Sequence, residues 1–256
     1  MTAGTLNYLN YLYLPGNQIT SFSGMGFTNL ANLVLWGNQL TSFSGTGLTN
    51  LQYLTLSNNQ IASFNGTGIA HLSSLDLSFN QFNSFTDITG ISGLQNLYLS
   101  NNQLTSFSDV GLTGLTGLYL AANQLTSFDG SNMGSLYYLD LSGNQLQSFS
   151  AYGMRNLSVL SVSSNQLTSF DGNGANLSWL ELVSNSLTSF DGSNMSNLIY
   201  LAISENQLNS FSGTGLTNLT NLSLGNNHLT SFEGSSMHNL QTLDLSNNQL
   251  TLLDTT

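Results

Sequence analysis

The stretch NQLTSFSGTGLTNL at residues 38–51 returns at residues 206–219 with a single change, Thr41 to Asn209. A fourteen-residue phrase repeated this closely makes the period the first thing to read. The Asn that opens it recurs at 17, 38, 59, 80, 102, 123, 144, 165, 185, 206, 227 and 248, usually followed by Gln. Nine of the eleven spacings are 21 residues; one is 22, at FTDITGISGL (85–94), and one is 20, at FDGNGANL (170–177). Both length changes fall between the Phe and the next Leu, which marks that segment as the loop side of each repeat.

Aligned on the Asn, each copy reads L-x-x-L-x-L-x-x-N-Q-L-T-S-F, then a Ser/Asp-Gly-x-Gly turn and another Leu. Leu54, Thr55 and Leu56 alternate with period two, the pattern of a short strand with one face inward. The Asn follows where the chain must turn, and its amide can pair backbone groups of neighbouring coils that would otherwise be buried unsatisfied. A Phe column from Phe22 to Phe232, ending in Leu253, fills the far side of the core. Just beyond it lies a position that is Gly or Asn in ten of eleven copies, among them Gly47, Gly68, Asn132 and Asn194, with Ser236 the exception. Both residue types tolerate positive φ, so a left-handed residue is expected there. The recurring SGTG lacks the third Gly and the Lys of a phosphate-cradling loop and is read as a turn. One such coil cannot bury enough apolar surface to offset the entropy of ordering it, so stacking on its neighbours is required.

The phrase LTNLQYLTLSNNQI (48–61), with its siblings, resembles the leucine-rich repeat family. Its short copies are similar to the repeats of internalin-like bacterial surface proteins. The resemblance implies an α/β solenoid, mostly β and turn, of twelve coils of about 21 residues spanning 1–256 as one domain. A parallel sheet is expected on its concave face, with short turns or 3-10 segments on the convex face. Members of that group bind host or partner proteins, which implies a noncatalytic recognition or adhesion module acting at a cell or particle surface.

Composition narrows the partners. The chain has one Arg, Arg155, no Lys and twelve acids, for a formal charge of −11, so phosphate backbones and anionic lipid have almost no electrostatic support. Nucleic acid and membrane insertion are therefore excluded as expectations, and no apolar run approaches the ~20 residues needed to cross a bilayer. With no Cys, neither disulfides nor thiolate metal sites contribute.

What varies between copies is the exposed face of the strand. One column runs Tyr13, Val34, Thr55, Asp76, Tyr98, Tyr119, Asp140, Ser161, Glu181, Ala202, Ser223, Asp244. Its neighbour two residues earlier carries Tyr11, Tyr53, Tyr138, Trp179 and Tyr200, and Trp36 lies two residues after the first. Large amphipathic rings on a rigid sheet make contact area at low entropic cost; aromatic residues also favour strands for packing alone. Two clusters stand out as partner-binding candidates, Tyr11, Tyr13, Trp36 and Tyr53 near the start, and Tyr138, Asp140, Trp179, Glu181, Tyr200 and Glu205 later, with Tyr98 and Tyr119 between them. Rings beside carboxylates suit a basic protein patch or a polyhydroxylated glycan.

Two further columns barely vary, a Ser row from Ser21 to Ser231 and a Thr row including Thr20, Thr41, Thr105 and Thr251. Regular hydroxyls could order water, which makes ice binding a minor alternative; bonding of the Ser to local backbone is the simpler expectation. No catalytic or cofactor constellation is visible. His71 and His228 are about seven coils, over ~30 Å, apart at ~4.8 Å per coil, too far to share a metal. Asp140 and Glu181 are two coils or about 10 Å apart by the same spacing. Asp129, Asp171, Asp191 and Glu233, which interchange with Ser after the Phe, are read as turn caps rather than a calcium site. Neither LNYLNYLYL at the start nor NNQLTLLDTT at the end reads as a polar cap, so end-to-end self-association into a filament is the alternative from another class.

Overall fold

The computed structural model describes residues 6–86 and 90–254, and the inserted residues of FTDITGISGL lie partly outside them. The chain divides into two compact units, 1–125 and 126–256. Each is a stack of parallel coils. In the first unit the main-sheet strands are Tyr11–Tyr13, Asn32–Val34, Tyr53–Thr55, Ser74–Asp76, Asn96–Tyr98 and Gly117–Tyr119. In the second they are Tyr138–Asp140, Val159–Ser161, Trp179–Glu181, Tyr200–Ala202, Asn221–Ser223 and Thr242–Asp244. Register is strict: Leu33 pairs with Leu54 and Leu54 with Leu75, and Leu160 with Leu180 and Leu180 with Leu201. A one-residue slip would turn every buried Leu outward and every outward residue in.

The L-x-L alternation works as the pattern requires. Leu54 and Leu56 are buried while Tyr53 is exposed and Thr55 half-buried. Among the described residues there is no helix; the segment after the Phe forms successive tight turns, such as Leu48 N to Gly45 O at 3.0 Å and Leu51 N to Leu48 O at 3.1 Å. The Phe positions add short parallel ladders of their own, Ser148–Ser150 with Ser169–Asp171 and Ser189–Asp191 with Ser210–Ser212. Their rings stack from coil to coil, with Phe149 to Phe170 at 5.9 Å and Phe190 to Phe211 at 5.8 Å between centroids.

The Asn column ties the coils together. Asn59 Nδ2 donates to Leu56 O of its own coil and to Leu35 O of the preceding one, both at 3.0 Å, while its Oδ1 accepts from Leu40 N at 2.9 Å. Asn80, Asn123 and Asn206 repeat the same three main bonds in part or whole, and all are buried. A side chain with both a donor and an acceptor in one plane is needed to satisfy backbone groups of two coils at once. Asn17, with no described coil of this kind before it, bonds only to Leu14 O and Pro15 O and is exposed.

Two sequence expectations need correction. The left-handed conformation expected at the Gly-or-Asn position holds for its glycines, such as Gly47 (φ 90°) and Gly68 (φ 90°), but neither Asn132 nor Asn194 adopts positive φ. At Gly47 the glycine is required sterically, since a Cβ would sit 2.7 Å from Gly24 O; where Asn stands the turn bond is kept, Met133 N to Gly130 O and Met195 N to Gly192 O both at 2.9 Å, without the left-handed residue. A second left-handed column goes unnoticed in the sequence, immediately before the recurring Asn. It includes Asn58, Phe79, Asn101, Ala122, Ser164, Ser184, Glu205, Asn226 and Asn247, with φ between 51° and 57°. Only some of these residues are ones that favour that conformation, which is why the alignment hides it. The Ser row also behaves differently: Ser148, Ser169 and Ser189 are exposed, and the Ser or Asp after the Phe makes the backbone bonds instead.

Candidate functional site

Residues flanking the central Leu of each main strand point away from the core, so the variable columns form an outward surface, exposed at Tyr11, Tyr13, Tyr53 and Trp179, half-buried at most other positions and closed at Gly117 and Ala202. In the first unit, Tyr98 and Tyr119 are paired across adjacent strands and stack at 4.3 Å with 14° between planes. Tyr11 and Tyr13 lie on one strand with their rings 6.2 Å apart. Trp36 and Tyr53 are exposed but make no ring contact with them, so the first cluster is one tyrosine pair and two separate rings.

The second unit brings its candidates closer. Trp179 and Tyr200 are paired across neighbouring strands, and their rings stack at 3.7 Å and 7°. Trp179 is 41% exposed, and its indole Nε1 donates to Glu181 Oε1 at 3.0 Å. That bond fixes the indole and aims the carboxylate along the ring edge. Tyr138 and Asp140 lie on the same face, separated from Trp179 and Glu181 by the strand carrying Val159 and Ser161. Glu205, held at φ 56°, accepts from the Ser184 hydroxyl at the end of the neighbouring turn. The same left-handed backbone recurs at this position in other coils, so it belongs to the repeat rather than to this face.

This surface is electronegative. Burial raises the pKa of the Tyr138 phenol above its ordinary value, and the Asp140 and then the Glu181 carboxylates raise it further. Burial and Glu181 do the same to Tyr200. Asp244, lower on the same column, has its pKa lowered by hydrogen bonds from the Ser246 hydroxyl and amide and by Ser223. It therefore remains charged across the physiological range. Of the ten tyrosines, Tyr8, Tyr137 and Tyr152 lie off the two variable columns. Among the described residues no group of three or more His, Asp or Glu side chains is placed to hold a metal ion, and no helix is long and apolar enough to cross a membrane.

The turn caps read from sequence are in place for the aspartates: Asp129, Asp171 and Asp191 each accept from the backbone amide two residues on, at 2.9, 3.0 and 3.0 Å. Glu233, one methylene longer, instead takes the Ser235 hydroxyl at 3.0 Å.

Comparison with known proteins places this architecture. Residues 92–132 and 217–255 match a family profile described as leucine-rich repeats in two copies, and residues 28–82 match one described as leucine-rich repeat. No curated protein matches the chain at a significant level. Among solved structures, a leucine-rich repeat protein of Leptospira interrogans is 28% identical, with a TM-score of 0.80 over 94% of this chain and 73% of that one. The functional domain of InlJ from Listeria monocytogenes is 25% identical, with a TM-score of 0.75 over 95% of this chain. Toll, solved in the Drosophila Toll–Spatzle complex, is 24% identical with a TM-score of 0.82 over 96% of this chain. This chain spans 59% of the InlJ domain and 39% of the Toll chain. The Asn ladder, the coil length, the parallel register and the matches along its length agree: the chain belongs to the leucine-rich repeat family, with repeats close to those of the internalins.

Proposed function

We propose that this chain is a noncatalytic recognition module that works outside the cell and binds a basic segment of a protein partner through the main-sheet face of its second unit. The observation that carries the reading is the stacked pair of exposed Trp179 and half-buried Tyr200, with Glu181 bonded to the indole and Asp140 farther along the same face. The family and fold are typically protein-binding scaffolds, and Toll is a relative solved with a protein partner bound. Aromatic anchors supply buried area and, toward Arg or Lys, cation–π attraction. The carboxylates supply the complementary charge, and no Lys or Arg in the main-sheet columns neutralises them.

The test is capture of immobilised extended peptides, one rich in Arg and Lys and one neutral, by the whole chain. Trp179→Ala and Tyr200→Ala should each weaken capture of the basic peptide at least about tenfold, as interface anchors do, and raising salt should weaken it further. Equal capture of both peptides, or indifference to both substitutions, would refute this reading. Retention instead on a neutral glycan surface, lost with the same two substitutions, would reassign the face to sugar.

A further inference from the structure

The only cationic side chain of fixed charge in the 256 residues is Arg155, and it borders an open hollow of about 460 Å³ on the turn side of the second unit. Gly134, Gly153, Gly174, Asn132 and Tyr152 line the same hollow. Three departures from the repeat coincide there. Where the other copies mostly place a small residue, such as Thr28, Thr49, Ala70 or Ser196, this coil has Arg155, and where Thr46, Thr67, Ser131 or Thr214 stands in others it has Tyr152. The coil before it has Gly134 at the Arg155 position, and a Cβ at Gly134 would meet Arg155 Nε at 3.9 Å. The coil after it is the one that is a residue short.

The missing residue is the counterpart of Arg155. In the shortened coil the first turn is retained, Ala175 N to Gly172 O at 3.3 Å, matching Met154 N to Ala151 O at 3.1 Å. The next residue is already Asn176, which aligns with Asn156, so no side chain from that coil stacks beside the arginine. Deletion on one side and glycine on the other thus clear the space around a guanidinium. Its side chain makes no hydrogen bond or ion pair with any described residue, and the neighbouring Tyr152 is 75% exposed.

We propose that this hollow is a binding site for a ring-bearing monocarboxylate, the class of a hexuronic acid or another acidic sugar terminus. A guanidinium presents paired donors that match a carboxylate in bidentate geometry, and an exposed phenol ring offers a flat apolar surface to the C–H face of a sugar ring. Nine acids in the second unit, against the single Arg, repel a polyanion. Asp129 and Asp171 stand beside the hollow, bonded to Ser131 N and Asn173 N, whereas the other carboxylates of the unit are screened beyond about 8 Å at physiological salt, so a single carboxylate paired with Arg155 meets far less repulsion than a polyanion. The hollow lies within the usual size range of small-ligand sites, about 300–1,000 Å³. The site is independent of the main-sheet face.

The test is titration of the whole chain with glucuronate and with glucose, its neutral counterpart, followed by saturation-transfer NMR. Glucuronate should bind with a Kd of about 1 mM and glucose at least about tenfold more weakly. Arg155→Gln should remove that preference, Tyr152→Ala should weaken both sugars, and Gly134→Thr, which places there the residue found at Thr28, Thr49 and Thr217, should block the hollow. Trp179→Ala should leave glucuronate binding unchanged, which separates this site from the protein-binding face. A glucuronate-terminated oligosaccharide that binds more tightly than free glucuronate would assign the site to a glycan terminus; equal affinity would assign it to the free sugar acid. The proposal falls if glucuronate and glucose bind alike, if Arg155→Gln has no effect while the chain keeps its circular dichroism, or if no binding is seen up to about 20 mM.

Discussion

Replacing Asn59 by Ala measures what holds one coil to the next. The substitution deletes an acceptor for Leu40 N and a donor shared by Leu35 O and Leu56 O, at 2.9, 3.0 and 3.0 Å. All three backbone groups belong to buried leucines, and Asn59 is itself 8% exposed. A buried group left unpaired costs about 1–3 kcal/mol, so three give about 3–9 kcal/mol before the coils relax. Partial relaxation and entry of a water place the expected loss near the lower end, at about 4 kcal/mol. With an m-value of about 3 kcal/mol/M in urea, the unfolding midpoint should fall by about 1.3 M. Asn17 supplies the internal control: it is exposed, bonds only to Leu14 O and Pro15 O, and its replacement by Ala should cost under about 1 kcal/mol. Urea denaturation followed by far-UV circular dichroism, with m compared between variants, is the assay. If Asn59→Ala and Asn17→Ala shift the midpoint equally, the ladder is not what joins the coils.

Phe79 is exposed and held at φ 55°, flanked in the same column by Asn58 and Asn101; Phe79→Asn should stabilise by about 1 kcal/mol, read as a rise in Tm. Gly47→Ala should cost about 2–4 kcal/mol, because it adds a side chain at φ 90° and 2.7 Å from Gly24 O, whereas Asn194→Ala, at negative φ, should change stability by less than about 0.5 kcal/mol. Ultraviolet titration should place the Tyr138 and Tyr200 phenols above ordinary tyrosine, and Glu181→Gln should bring both part of the way back. Since folding raises these pKa values, their contribution to stability is complete below the ordinary tyrosine range near about 10 and is lost as pH rises through the raised values.

How much of this was legible in the sequence differs from column to column. Leu54, Asn59 and Phe149 could be assigned to core, ladder and far wall because every copy needs the same side chain there, so identity alone exposes the constraint. The outward columns were legible as a face, from their freedom to vary. The second left-handed position was not, because Phe79, Ala122 and Glu205 share no chemistry; the conformation is imposed by the Asn ladder after it rather than by the residue itself. The hollow at Arg155 carried a sequence signal, a lone Arg beside a one-residue deletion, but its meaning depended on which neighbouring atoms the deletion removed.

The sequence by itself determined the coil, its period and which residues face inward, because a repeating chain must satisfy the same burial and hydrogen bonding in every turn. Only the tertiary structure decided which outward side chains meet. Trp179 and Tyr200 are 21 residues apart in sequence, yet their rings stack at 3.7 Å, while Trp36 and Tyr53, 17 apart, make no ring contact. Contact across coils depends on the column each residue occupies and the rotamer its neighbours allow, and those are set by stacking.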